Sequence, residues 1–403
     1  MKKIVIIGVG AQGSTIAKRM NEDPEVGEII CADYDLKAAK SLEDTLSKAK
    51  GVQVDARKVV NVIKVAAGAD FIVNGCSTDF NFILMEAALE VKADYQDMAG
   101  PYTVGTDYIE GYRQALEDWG KKFEAIGKIA LIGTGSAPGI ANVIARHSAD
   151  ELDEVDTIEI YVYDAVVSNK YVLFWWSPEV ALGDMCMETY SYIDGKHVID
   201  DPFSRPMMMK FKDIEAEICM YDHAHDEPVT MGFHAKKYLK GAKNIYFKYG
   251  GPSVDKSKLL YQMGLLSHDA IEVNGVKVSP FDVVIAAAPP APKYPEEIQE
   301  ILDGGLKSED GAFLIRVIGT KAGQEKVIDR YVNAPGLIES FQKSGLTHET
   351  YCTGQCAAVF TKLMVNNKID LKGAISPESL GKNAREYYFS ELAKLGVTVT
   401  IDN

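Results

Sequence analysis

Two lysines lead into an apolar run, Ile4-Val5-Ile6-Ile7, which breaks at Gly8-Val9-Gly10-Ala11-Gln12-Gly13. A helix-like stretch follows through Met20, and then a second apolar run, Ile29-Ile30-Cys31-Ala32, that ends at Asp33. Short unbroken apolar runs bounded by turn residues predict strands buried on both faces. The alternation continues, with helices predicted over residues 36–50, 59–67, 82–90 and 108–125. Strands are predicted over 52–54, 71–74, 95–97 and 129–132. Strand and helix in turn predict an α/β, doubly wound parallel sheet.

After Gly133 the pattern changes. Gly135-Ser136-Ala137-Pro138-Gly139 is a turn running into a helix that ends near Asp150. Residues 155–332 alternate with period two in many places, and Asp194-Gly195 and Asn274-Gly275 are hairpin turns. A mixed or antiparallel sheet, hence a separate α+β substrate domain, is predicted there. The tail returns to helices, over 351–365 and from Ser376-Pro377-Glu378 to about residue 395, with a last strand at 397–401. The predicted domains are 1–140 with 345–403, and 141–344.

Strand, glycine turn, helix, strand and acid stand in the order a dinucleotide needs, which makes the first domain a Rossmann sheet. Gly8 permits the sharp turn, Gly10 lets the backbone approach a pyrophosphate, and Gly13 lets the helix pack closely. The amides of Ala11 and Gln12 open the helix toward the phosphates. Asp33 accepts both ribose hydroxyls of NAD and repels the 2′-phosphate of NADP; the next cation is Lys37, one helical turn on. NAD is therefore expected over NADP. A plain tight turn is the alternative for the glycines, and a helix cap is the alternative for Asp33, a job open equally to Asp35.

Net charge of −15 and a hydrophobic fraction of 47% describe an acidic chain with a sizeable core. Acidity argues against nucleic acid and anionic membranes as partners. The chain shows no apolar run near transmembrane length, and its first strand follows the N-terminus directly, so a cytoplasmic protein is expected. The six cysteines include no CxxC pair and no zinc spacing. Cys352 and Cys356 share a predicted helix face, as packing thiols or as a redox pair.

Several landmarks along the chain bear on family. They are Asp94-Tyr95-Gln96-Asp97, Gly135 to Asn142, Ser177-Pro178-Glu179, His225-Asp226-Glu227-Pro228, Lys240 to Lys243, and Lys372 to Glu378. With the N-terminal fingerprint they make nearly the whole chain resemble the saccharopine dehydrogenase family, in the branch with carboxynorspermidine dehydrogenase and lysine 6-dehydrogenase-like enzymes. The resemblance implies a Rossmann domain interrupted by a mixed-sheet domain, C-terminal helices returning to the first domain, and a homodimer. It also implies reversible hydride transfer at a carbon bonded to nitrogen, on saccharopine, lysine or a carboxyalkyl polyamine. Two alternatives remain: a homospermidine synthase-like transferase with internal redox cycling, and a non-catalytic NAD-binding protein. The aromatic segment 171–176 and Met207-Met208-Met209 depart from the family pattern.

Hydride transfer needs the substrate carbon held at the nicotinamide, a proton acceptor, and charges that anchor the substrate. Cys76, Ser77 and Thr78 follow a strand and are expected to line the cofactor cleft, as is Asp97. Asp97 either anchors or deprotonates a substrate ammonium, or caps the turn before Gly100. Ser77 and Thr78 touch the nicotinamide ribose or form an ordinary turn. The turn from Gly135 to Asn142 is expected to pass near the cofactor, with Gly135 at the cofactor and Pro138-Gly139 at the substrate; its free amides would bind a substrate carboxylate, or the turn serves only as a hinge. Trp176 walls the pocket and Glu179 attracts an ammonium; the alternative is a core or dimer contact. His223 and His225 invite a metal, but the chemistry needs none and none is expected. His225 is a candidate acid–base group, with an ordinary strand-edge histidine as the alternative. Arg205 and Arg316 are candidate carboxylate clamps.

Overall fold

The computed structural model describes residues 1–101 and 107–402. The chain divides into two compact units. The first takes Met1–Glu151, Val229–Lys240 and Cys352–Thr398; the second takes Leu152–Pro228, Gly241–Tyr351 and the residues from Val399 onward.

In the first unit the apolar runs form strands because each side chain there is removed from water. Ile4, Val5 and Ile6 are fully buried, and each such side chain contributes about 1.5–3 kcal/mol. The strands are β1 (Lys2–Ile7), β2 (Val26–Asp33), β3 (Ala49–Gln53), β4 (Phe71–Asn74), β5 (Asp94–Gln96) and β6 (Ile129–Leu131). With Gly373–Ile375 they make a seven-stranded sheet in the order Gly373–Ile375, β6, β5, β4, β1, β2, β3. Every pair is parallel. The chain leaves β1 toward β2 on one side and returns to β4 on the other. That reversal opens a crevice at the carboxyl end of β1, where such sheets bind ligands.

The second unit holds a mixed nine-stranded sheet. Its long strand Glu154–Ser168 pairs parallel with Asn244–Gly250 and antiparallel with Leu306–Lys321. Outward from Asn244–Gly250 come Glu217–Asp222 and Met207–Lys210; outward from Leu306–Lys321 come Gln324–Asn333 and Thr398–Asp402. The Asp194-Gly195 hairpin joins Thr189–Ile193 to Lys196–Asp200. The Asn274-Gly275 hairpin forms a separate two-stranded sheet.

Some elements differ from the sequence expectation. The helix predicted over 36–50 is Leu36–Thr45, because Leu46 is extended and β3 begins at Ala49 to pair with β2. Ser376-Pro377-Glu378 opens a 3-10 turn, Pro377–Ser379, and the helix begins only at Lys382. Helices punctuate the stretch predicted to be mainly β: Pro178–Cys186, Pro252–Gln262, Pro280–Ala287 and Pro295–Asp303. Each opens on a proline, and Ser177 and Ser279 cap two of them, the start signal applied in the sequence only to Pro377. Among the described residues no disulfide forms, and no helix is long and apolar enough to cross a membrane.

Candidate active site

The glycine turn is a cradle built by exclusion. Gly8 has φ +85°, and a Cβ on it would lie 2.6 Å from Cys76 Sγ. A Cβ on Gly13 would lie 2.0 Å from the Gly8 carbonyl oxygen, and one on Gly75 2.1 Å from the same atom. These glycines let helix Ala11–Glu22 and β4 close on the end of β1. Gly10 differs, since a Cβ there meets nothing within 4 Å. It stands at the N-cap of the helix, with no side-chain cap. An uncapped helix start facing open space at a sheet reversal fits a pyrophosphate. Gln12 contributes its backbone there, while its side-chain oxygen is buried and lies beside Gly354.

Asp33 closes the cradle. The Val9 amide donates to its Oδ2 at 2.8 Å and the Asp35 amide to its Oδ1 at 2.9 Å. The cap of helix Leu36–Thr45 is Asp35, whose carboxylate accepts from the Lys37 amide at 2.9 Å. Asp33 therefore does not serve as that cap. Beside it, Tyr34 is exposed and Arg57 lies over its ring at 5.4 Å, paired to Asp55. Cys76 supports the turn: its amide donates to Asn74 at 2.8 Å and its thiol to the Ile7 carbonyl at 3.4 Å. Burial, helped by the Asp33 charge, pushes that thiol up to about 11. Ser77 is exposed ahead of the turn Thr78–Phe80.

Asp97 is buried at 1% exposure. Its Oδ1 accepts from the Gly133 amide at 2.8 Å and its carbonyl from the Thr134 amide at 3.0 Å. The geometry is that of a turn holder linking β5 to β6, at a different turn from the one before Gly100. Gln96 next to it ties Thr134, Ala357 and Thr361 together at 2.8–2.9 Å.

Three amides of the Gly135–Asn142 turn are taken. Gly139 donates to Asn142 Oδ1 at 3.0 Å, Ile140 to Gly135 at 3.3 Å and Ala141 to Ser136 at 3.2 Å. Those three do not face a substrate carboxylate, which corrects the expectation for this helix start. Gly139 is required for a second reason, since a Cβ would sit 1.8 Å from the Gly135 carbonyl, and Pro138 is buried in the same turn. Asn142 also donates to Glu378 at 3.0 Å. Fully buried Glu378 accepts from Ser376 at 2.7 Å and meets His234 at 2.8 Å. Burial opposes its charge, but His234 and Ser376 hold its carboxyl below the usual range. Two landmarks far apart in sequence thus form one buried network.

In the second unit His225 is the centre of a different constellation. Its Nδ1 lies 2.5 Å from Glu227 Oε2, and Glu227 is fully buried. The imidazole stacks on Phe247 at 3.8 Å and 6° between planes. Burial, with a smaller contribution from His225, drives His223 down to about 3, so it stays neutral. Burial raises Asp184 to about 6, against the opposing charge of His225. An imidazole oriented by a buried carboxylate is the arrangement of a general acid–base group. Among the described residues His223 and His225 do not converge with other ligand-bearing side chains in a group of three or more. Among the described residues, the group of three that converges within 4.8 Å is Asp164, His348 and Glu349.

Arg205 is already engaged. It donates to Asp222 at 2.6 Å and to Ser191 at 2.9 Å, and pairs with Asp200 at 2.7 Å. The predicted carboxylate clamp is thus an internal one, with Lys248 as a second partner of Asp222. Arg316 likewise grips its cross-strand neighbour Asp329 at 2.8 and 2.6 Å. Lys248 and Asp222 are both nearly inaccessible, so Lys248→Met should destabilise the protein by about 3 kcal/mol. Chemical denaturation measures this, and an unchanged midpoint would contradict it. Trp175 is core, donating to the Val166 carbonyl at 3.1 Å and packing on Ile298, Ile301 and Leu337. Trp176 is half-buried, 5.2 Å from Phe174 and 6.4 Å from Tyr249. Glu179 is exposed in the first turn of its helix. Asp184, Glu227, Phe247 and Tyr249 were not singled out in the sequence as site residues; the His225-x-Glu227 spacing was the one local signal.

Comparison with known proteins agrees with this architecture. Residues 4–131 match the saccharopine dehydrogenase NADP binding domain, and residues 135–397 the saccharopine dehydrogenase C-terminal domain. Carboxyaminopropylagmatine dehydrogenase of Synechocystis sp. is 24% identical over 413 residues, covering 98% of this chain and 96% of that protein. Saccharopine dehydrogenase (L-Glu forming) of Saccharomyces cerevisiae shares the fold, with TM-score 0.70, 15% identity and both chains fully covered. Homospermidine synthase of Legionella pneumophila, solved with NAD, does so with TM-score 0.68, 11% identity and coverage of 100% and 91%. The chain belongs to the saccharopine dehydrogenase family and is an NAD(P)-dependent oxidoreductase that transfers hydride at a carbon–nitrogen bond.

Proposed function

We propose that the substrate is a carboxyalkylated polyamine, oxidised at its secondary amine or formed by reduction of the matching imine. The observation that carries this is the carboxyaminopropylagmatine dehydrogenase of Synechocystis sp., whose match runs nearly end to end in both chains. The acidic, aromatic lining of the second unit suits a cationic chain: Asp184, Glu227, Asp164 and Glu349 lie among Trp176, Tyr249 and Phe247. Purified protein with NAD(P) and carboxyaminopropylagmatine should reduce the cofactor. Turnover of saccharopine or lysine in its place would sink the assignment.

When bound, the nicotinamide accepts or supplies the hydride. His225 takes the amine proton as the carbon–nitrogen double bond forms, and returns it in the reverse direction. Glu227 fixes the ring through its contact with Nδ1. Trp176 walls the substrate. Asp97, through Gly133, is a positioning residue for the β5–β6 turn.

The Asp33 carboxylate supports a preference for NAD over NADP of about tenfold or more. Asp33→Ala should erase that preference in calorimetric titrations; tighter binding of NADP to the unaltered chain would contradict it. A cytoplasmic homodimer completes the proposal. The hairpin that exposes Ile271, Val273 and Val276 supports a subunit contact, and a monomer mass in light scattering would count against it.

A further inference from the structure

Trp176, Tyr249 and His223 form a continuous aromatic wall in the second unit, with ring separations of 6.4 and 5.4 Å, and His223 leads on to His225 at 5.9 Å. At the His225 end stand Asp184 and Glu227. The other end has its own charged group, formed by residues distant in sequence. Asp164 Oδ1 lies 3.6 Å and Glu349 Oε1 3.9 Å from His348 Nε2. Trp175 meets the same imidazole edge-on at 5.7 Å. Among the described residues no lysine or arginine pairs with Asp164 or Glu349.

Two carboxylates and one imidazole converge in a half-buried place. Burial and the neighbouring Asp164 push the Glu349 carboxyl up, against the pull of His348. Tyr249 adds an independent observation. It is 6% exposed and the charges of Asp164 and Glu349 both act on it, while both ring nitrogens of His348 are buried without a hydrogen-bond partner among the described residues. A buried phenol and an imidazole without a hydrogen-bond partner, beside two carboxylates and an indole, are suited to a donor that is also a cation. A guanidinium or ammonium on an aliphatic chain has that chemistry, and the apolar wall fits the methylenes between two such groups.

We infer that Asp164 and Glu349, with Tyr249, bind the second cationic group of the substrate while its reacting nitrogen lies at His225. This rests on the polyamine reading above and makes the site a selector of dications over monoamines.

Calorimetry on the full-length protein tests it, with agmatine, n-butylamine and zinc chloride as separate probes. The unaltered chain should bind agmatine about tenfold or more tightly than n-butylamine. Asp164→Asn and Glu349→Gln should each bring agmatine down toward n-butylamine and leave n-butylamine where it was. Equal affinity for the two amines in the unaltered chain overturns the inference, whatever the variants do. Unchanged agmatine binding in both variants overturns it too, as does tight zinc binding that both variants lose while agmatine is unaffected. Selective agmatine binding by a chain that turns over no carboxyalkyl polyamine would defeat the proposed reaction and leave this site standing.

Discussion

Replacing His225 by alanine is expected to lower kcat by about 10²-fold or more, with the affinity for NAD(P) unchanged. The imidazole is held from two sides: by buried Glu227 at 2.5 Å and by Phe247 stacked at 3.8 Å. Its loss removes the group that receives the amine proton, while the glycine cradle belongs to another unit of the chain. Glu227→Gln should fall between, because the ring keeps a hydrogen-bond partner but loses the carboxylate that orients it. Rapid-quench or steady-state rates at saturating cofactor measure this. A His225→Ala enzyme with normal kcat would assign the proton to a different group, with Asp184 the first to examine.

The second large effect concerns Gly10. A Cβ at that position meets no atom within 4 Å, so Gly10→Ala should unfold at the same temperature as the parent. Its methyl group would nevertheless occupy the space where the pyrophosphate approaches the helix start, and cofactor affinity should fall by about two orders of magnitude. Gly13→Ala is the contrasting case, since its Cβ would sit 2.0 Å from the Gly8 carbonyl and must displace the helix. That variant should lose stability as well as binding. Calorimetric titration with NAD and NADP, paired with thermal unfolding, separates the two outcomes. Unimpaired binding by Gly10→Ala would place the phosphates elsewhere.

Most of the first unit was legible because its code is local. Apolar runs, glycine spacing and a terminal acid lie within thirty-three consecutive positions, and β1, the turn, its helix and β2 follow from them. The strand Gly373–Ile375 carried no such signal. It is three residues long and is a strand only because it pairs with β6. The second unit was legible in its hairpins, where Asp-Gly and Asn-Gly dictate the turn, and less so in its proline-led helices.

Side-chain roles were harder to read than elements. Arg205 reads as a clamp in sequence, but only the fold brings Asp200 and Asp222 to it. Asp97 reads as a cleft residue because it ends a strand; burial and the Gly133 amide give it a holding role. Asp164 and His348 meet through the fold alone, so no spacing rule announces them. Asp33 was decided by a neighbour: Asp35 took the helix cap and left the first carboxylate at the glycine turn.

The most direct test of the whole account is one progress curve: nicotinamide absorbance after carboxyaminopropylagmatine is added to the purified chain with NAD(P). A rise in reduced cofactor, with release of the free amine, is the predicted result. A flat trace with that substrate, from protein that binds the cofactor tightly and turns over saccharopine instead, would contradict it.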